Sequence, residues 1–247
     1  MSSLFEPNAI DQCCLCGSSE DLTGEHKVKA SMIRSVFSGE PMMIGTFDGV
    51  ARPRLAQSSK SKALHFRSRI CEKCNSTRSQ PADLEFARFD EIARRRLAGG
   101  LNPSGAFNEP QYLEGGGPYL DVFRYLAKVL ACQIADVDGP RVCALTDFAI
   151  GRTDANPVRL EMSEDPAYRQ WFEGSGDPEF AGHGGLGVGF SRSTGLAESL
   201  FSTLTHGPLR YSFSIGFGPP IAYVLRLLHP RFYERCANAF RDTTPTT

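Results

Sequence analysis

Two cysteine pairs, Cys13-x-x-Cys16 and Cys71-x-x-Cys74, constrain this chain more than any other feature. Thiolates spaced in this way can both reach one tetrahedral Zn²⁺ at ~2.3 Å, and two such knuckles complete its coordination. The fifty-four residues between Cys16 and Cys71 exceed a compact zinc ribbon. An insertion must therefore loop out between the knuckles. Four thiolates leave no open position for substrate, so the site is structural, and metal binding there can contribute ~10–16 kcal/mol of apparent free energy to folding. Cys14 competes with Cys13, but Cys14-x-Cys16 is too tight a pair, and Cys13 is taken as the ligand. Cys132, Cys143 and Cys236 stand singly in apolar surroundings and read as core packing.

The 247 residues suggest one large domain or two small ones. With 41% apolar residues, 22% charged residues and a formal net charge of −1, a disordered chain and a globally basic nucleic-acid coat are both excluded. No apolar run approaches the ~20 residues of a membrane span, and the opening Met1–Glu6 has neither the basic nor the apolar region expected of a secretory leader. The expected compartment is the cytoplasm, where disulfides seldom persist and metal binding best accounts for the cysteines. Charge is uneven along the chain. Residues 51–104 carry twelve Lys/Arg against five Asp/Glu, whereas residues 105–247 carry twelve against sixteen.

Turn-rich sequence between Gly99 and Pro118 marks a boundary, giving domains 1–104 and 105–247. In the first, Met42–Phe47 and Val50–Leu55 flank Asp48-Gly49, a hairpin signal. The run Leu64–Ile70 reads as a strand with Leu64, Phe66 and Ile70 on one face and His65, Arg67 and Arg69 on the other. Pro81 suits the first position of a helix that runs to about Leu97. In the second, a helix is predicted from Pro118 to Ala135, with strands near 141–150, 158–162, 185–191 and 209–217. Residues 242–247 read as a frayed tail.

Between the knuckles stands Glu25-His26, and Asn75 directly follows the second knuckle, giving Cys-x-x-Cys, Glu-His, Cys-x-x-Cys-Asn. This arrangement resembles the HNH nucleases of the ββα-metal (His-Me finger) class in which a zinc site buttresses the catalytic finger. The stretch Cys74-Asn75-Ser76-Thr77-Arg78-Ser79-Gln80-Pro81-Ala82-Asp83 is especially similar to a run found in some HNH-like proteins. The resemblance covers about residues 10–97. It implies an α+β fold: a zinc-stapled ββα-metal finger with an inserted hairpin, followed by a mixed α+β domain.

The resemblance also implies roles by position. His26 would be the general base that takes a proton from the attacking water, a task suited to an imidazole of pKa ~6.5. Glu25 and Asn75 would hold a catalytic Mg²⁺ or Mn²⁺ through oxygen, distinct from the structural Zn²⁺ of Cys13, Cys16, Cys71 and Cys74. His65, or a backbone carbonyl in its place, would orient the base. Arg78 would grip the scissile phosphate among Arg67, Arg69 and Lys73, and Arg94–Arg96 adds charge at a helix end. The expected activity is metal-dependent hydrolysis of phosphodiester bonds in double-stranded DNA. A zinc-stapled module that binds nucleic acid without cutting is the competing expectation. Residues 105–247 carry no chemical motif, and three roles stay open for them: recognising a target, forming a homo-oligomer or protein contact, or restraining the nuclease.

Other signals carry less. Gly182-x-Gly184-x-x-Gly187 fits a dinucleotide fingerprint by letter but is followed by strand-like sequence. His183, His206 and His229 are isolated and read as structural or exposed. Glu161, Glu164 and Asp165 form a charged turn.

Overall fold

The computed structural model describes residues 4–38, 42–45, 54–56 and 58–243. Along the chain run strands β1 (Phe5–Glu6) and β2 (Leu22–His26), helix α1 (Ala30–Phe37), strands β3 (Met42–Ile44), β4 (Arg54–Ala56) and β5 (His65–Cys71), and helix α2 (Gln80–Ala98). There follow α3 (Gly117–Asp136), β6 (Arg141–Val142), α4 (Cys143–Ala149), β7 (Val158–Glu164) and α5 (Pro166–Ser175). The chain ends with β8 (Ala181–His183), β9 (Gly187–Phe190), β10 (Ala197–His206), β11 (Leu209–Gly216), α6 (Pro219–Leu228) and α7 (Pro230–Thr243). The architecture is mixed α+β.

Strands β2 and β5 pair antiparallel and lead into α2, a strand, strand, helix order with α1, β3 and β4 inserted between the strands. The inserted pair is antiparallel, with Met42 opposite Ala56 and Ile44 opposite Arg54. Its Asp48-Gly49 turn lies outside the described residues. The larger sheet is antiparallel in the order β7-β11-β10-β8, with β9 also on β10. On β11, Leu209, Tyr211, Phe213 and Ile215 are buried and alternate with less buried Arg210, Ser212 and Ser214. That is the two-residue period of a sheet with one covered face.

Helix α2 begins with Pro81 in its first turn and buries Phe86, Phe89 and Ala93 at helical spacing. Helix α3 is buried on nearly every side, from Leu120 through Ile134. It packs on α2, α4 and β5. One apolar core accordingly runs through both halves of the chain. β1 pairs with β6, and Ser68 Oγ donates to the Cys132 carbonyl at 2.9 Å. The turn-rich segment near residue 104 thus changes element without separating two cores.

The strand expected over 141–150 is a correction. Only Arg141–Val142 is extended, and helix α4 follows at once. Leu145, Phe148 and Ala149 are buried at helical spacing, which a short apolar run does not distinguish from a strand. At the other end, residues 242–243 continue α7, and the rest of the expected frayed tail lies outside the described residues.

Candidate functional site

The cysteine centre assembles from two turns. In the first, Gly17 N–H donates to the Cys13 carbonyl at 2.8 Å and Cys13 N–H to Ser18 O at 2.7 Å. Gly17 has φ +78°, a left-handed conformation open to glycine. Cys14 N–H donates to Arg69 O at 2.9 Å, which ties this knuckle to β5. In the second, Cys71 ends β5 and Cys74 opens a π-helical turn, Cys74–Arg78, before α2. The Sγ atoms of Cys13, Cys16, Cys71 and Cys74 all lie within 4.8 Å of one another. Cys16 and Cys71 are 3.6 Å apart, near the ~3.8 Å edge of a tetrahedron with ~2.3 Å Zn–S bonds. These four residues fit a structural metal such as zinc. A hydrogen bond with Cys74 pulls the Cys13 thiol down to about 4 and pushes that of Cys74 up, so the two sulfurs share one proton, which a bound metal would displace.

Cys14 points elsewhere. Its Sγ lies 3.7 Å from Cys132 Sγ in the core, which leaves Cys13 as the ligand. Cys132 and Cys236 are buried, and Cys143 is half-buried.

His26 and His65 face each other across β2 and β5, with ring centroids 3.9 Å apart. Each ring has its own carbonyl partner. His26 Nε2 lies 3.1 Å from Ser59 O, and His65 Nδ1 lies 3.0 Å from Ser61 O. A carbonyl only accepts, so His26 carries its proton on Nε2 and leaves Nδ1 as the basic nitrogen. The orienting group for His26 is therefore the Ser59 carbonyl, with His65 packed against the ring. Burial first, and then the neighbouring His65, lowers the pKa of His26 from its ordinary value.

Glu25 sits beside them, and its carboxylate engages an ammonium. Lys128 Nζ, almost wholly buried on α3, lies 3.2 Å from Glu25 Oε1 and 2.7 Å from Asp83 Oδ1. Lys29 Nζ adds a hydrogen bond to the Asp83 carbonyl. Burial raises the pKa of Glu25, against the opposing pull of Lys128. Burial also opposes the charge on Lys128, yet the two carboxylates hold its pKa above the ordinary value. Removing either partner of such a buried set strands a charge, at a cost of about 3–5 kcal/mol.

Asn75 was expected to share an ion with Glu25. Its Nδ2, on the other side of the amide from the oxygen expected to bind, donates to Thr23 Oγ1 at 3.0 Å, two residues before Glu25 on β2. The carboxylate that converges with Glu25 is Asp83. Two carboxylates aimed at one cation suit a hard divalent ion in donor type, and the cation they now hold is Lys128. Sequence reasoning missed both Asp83 and Lys128 as members of this site. Asp83 closes the Cys74–Asp83 run; Lys128 lies inside the apolar pattern of α3.

Arg78 turns toward the cysteines, with Nη1 donating to Cys74 Sγ at 3.4 Å. It lines a cavity of about 490 Å³ together with Cys16, Cys71, Lys73 and Arg152. Arg67 and Arg69 are exposed on β5, as the alternation required, and Arg67 reaches Asp138 at 3.4 Å. Arg94 is bound to Asp90 at 3.1 Å and Arg96 donates to Asn102 O at 3.1 Å. The basic face thus reduces to Arg69 and Lys73 beside Arg67 and Arg78, whose partners are exposed or sulfur.

The glycine fingerprint falls on β8 and β9, with a strand where a phosphate-binding helix would begin. No helix among the described residues is long and apolar enough to cross a membrane. Compared with known proteins, the chain matches no family model, no curated protein and no solved structure.

Proposed function

We propose that this chain is a zinc-stapled endonuclease of the HNH type that hydrolyses phosphodiester bonds in DNA, with His26 as general base. The observation that carries this reading is the fixed tautomer of His26. Its Nε2–H is committed to Ser59 O, and its lowered pKa keeps the ring neutral at pH 7. Nδ1 is then the atom that accepts the proton of the water attacking phosphorus. Glu25 and Asp83 would hold Mg²⁺ or Mn²⁺ in competition with Lys128, with the Asn75 amide oxygen as a further donor. Bound there, the ion would supply Lewis-acid stabilisation of phosphate charge. Arg69 and Lys73, on the exposed basic face, would position the backbone of the nucleic acid without reading its sequence.

The test is nicking of supercoiled plasmid with Mn²⁺ or Mg²⁺, followed across pH. Because the pKa of His26 is lowered, the base remains neutral further into acid than an ordinary histidine. The acid limb of the rate profile should therefore turn over below ~6.5. The same group stabilises the folded chain above its unfolded pKa, and that contribution is lost as pH falls through the lower folded value. An acid limb centred above 7 would remove His26 from the base role.

The second reading is a zinc-stapled module that grips nucleic acid and cuts nothing. The Lys128 ammonium favours it, since a buried lysine already neutralises the two carboxylates. DNA binding without nicking at any tested metal concentration would select it.

A further inference from the structure

Away from the cysteines and from His26, three residues distant in sequence meet where α1, α2 and the end of β10 converge. Ser35 Oγ lies 3.0 Å from His206 Nε2, and His206 Nδ1 lies 2.6 Å from Asp90 Oδ2. We propose that Ser35, His206 and Asp90 form a second nucleophilic centre that transfers the acyl group of small carboxylic esters to water.

The arrangement has the connectivity such chemistry needs: nucleophile to one imidazole nitrogen, orienting carboxylate to the other. His206 and Asp90 are each 3% exposed, whereas Ser35 is exposed on the outer face of α1. The base is shielded and the nucleophile reachable. Asp90 is itself held, by Tyr211 O–H at 2.8 Å on Oδ1 and by Arg94 Nε–H at 3.1 Å on Oδ2. A carboxylate at Nδ1 selects the tautomer with the proton there, so Nε2 presents a lone pair to Ser35. The serine hydroxyl has one other acceptor, the Met32 carbonyl at 2.8 Å. That amide oxygen is too weak a base to keep the proton, so only His206 can take it when Oγ attacks.

The step balances without a further reagent. Ser35 Oγ bonds to the ester carbonyl carbon as its proton passes to His206 Nε2. The C–O bond to the leaving alcohol breaks, and the alcohol departs with that proton. Water then attacks the acyl-serine by the same proton path, releasing the acid and restoring Ser35. Because Ser35 stands on an open helix face, the fitting substrates are short esters or acyl groups presented at a surface.

The experiment uses the whole zinc-loaded chain and a fluorophosphonate probe, with the labelled residue identified by peptide mass spectrometry. Oγ displaces fluoride at phosphorus, and the proton leaves through His206. Ser31 and Ser38, exposed on and just after the same helix, are internal controls. A positioned general base contributes about 10²-fold or more, so Ser35 should label at least that much faster than either. Ser35→Ala should also remove hydrolysis of p-nitrophenyl acetate. Labelling of Ser35 no faster than Ser31, or no labelling of a chain with native circular dichroism, overturns the proposal. Full-rate labelling in folded His206→Gln does the same, and the ratio in the native chain decides the matter if that variant does not fold.

Discussion

Cys74→Ser is expected to release the metal and unfold most of the molecule. A four-cysteine zinc site is worth ~10–16 kcal/mol of apparent binding free energy, against the ~5–15 kcal/mol total stability of an ordinary domain. Losing one thiolate therefore removes a share comparable to the whole. The damage should spread past the knuckles, since Cys13, Cys71 and Cys74 belong to the same core as α3 and the large sheet. Zinc per chain, measured by mass spectrometry of metals, should fall well below one, and the cooperative melting transition should be lost. Cys14→Ser is the matched control. Cys14 faces Cys132 rather than the cluster, so that variant should keep its zinc. Full zinc content and an unchanged melting temperature in Cys74→Ser would refute the structural site.

His26→Ala should reduce plasmid nicking by about 10²–10⁴-fold, the usual contribution of a positioned general base. Zinc content should not change, because the His26 ring is bound to Ser59 and His65 and not to any of the four sulfurs. DNA binding, which the proposed function assigns to Arg69 and Lys73, should persist. Nicking that survives the substitution would assign the chemistry elsewhere. Arg78→Ala makes an instructive contrast: Arg78 donates to Cys74 Sγ, so its loss should disturb zinc retention as well as phosphate binding.

Much of this site was legible before any coordinates. The Cys-x-x-Cys spacings name the four sulfurs that converge, and the period-two pattern of residues 64–70 puts His65, Arg67 and Arg69 on the face that is observed. The helices beginning near Pro81 and Pro118 start within a residue of expectation. The same proline signature also opens α5 at Pro166, α6 at Pro219 and α7 at Pro230. Those helices went unread because they run only 10, 10 and 14 residues, against 19 and 20 for α2 and α3, and so few turns establish a helical period poorly. The cluster Glu161, Glu164 and Asp165 illustrates the difficulty. Asp165 is a helix cap, with its side chain accepting from Ala167 N–H at 2.8 Å.

What pattern alone could not supply was the buried electrostatics. A lysine within Val122–Ile134 reads as the polar edge of an amphipathic helix, yet α3 is covered on nearly all sides and takes Lys128 inward. Burying that ammonium is tolerable because Glu25 and Asp83, from β2 and α2, meet it. The pairing joins residues 45 to 103 positions apart, and no local period encodes it. His206 is a similar case. Isolated in the sequence, it acquires Asp90 and Ser35 as partners only through the fold.

The proposed function requires a second cation beside His26, between the carboxylates now holding Lys128. Crystals of the zinc-loaded protein soaked in Mn²⁺, with anomalous maps at the zinc and manganese edges, test it most directly. Zinc should appear among the four sulfurs and manganese on Glu25 and Asp83, with the Lys128 ammonium displaced from between them. A single zinc peak, with Lys128 still bridging both carboxylates at saturating Mn²⁺, would contradict it.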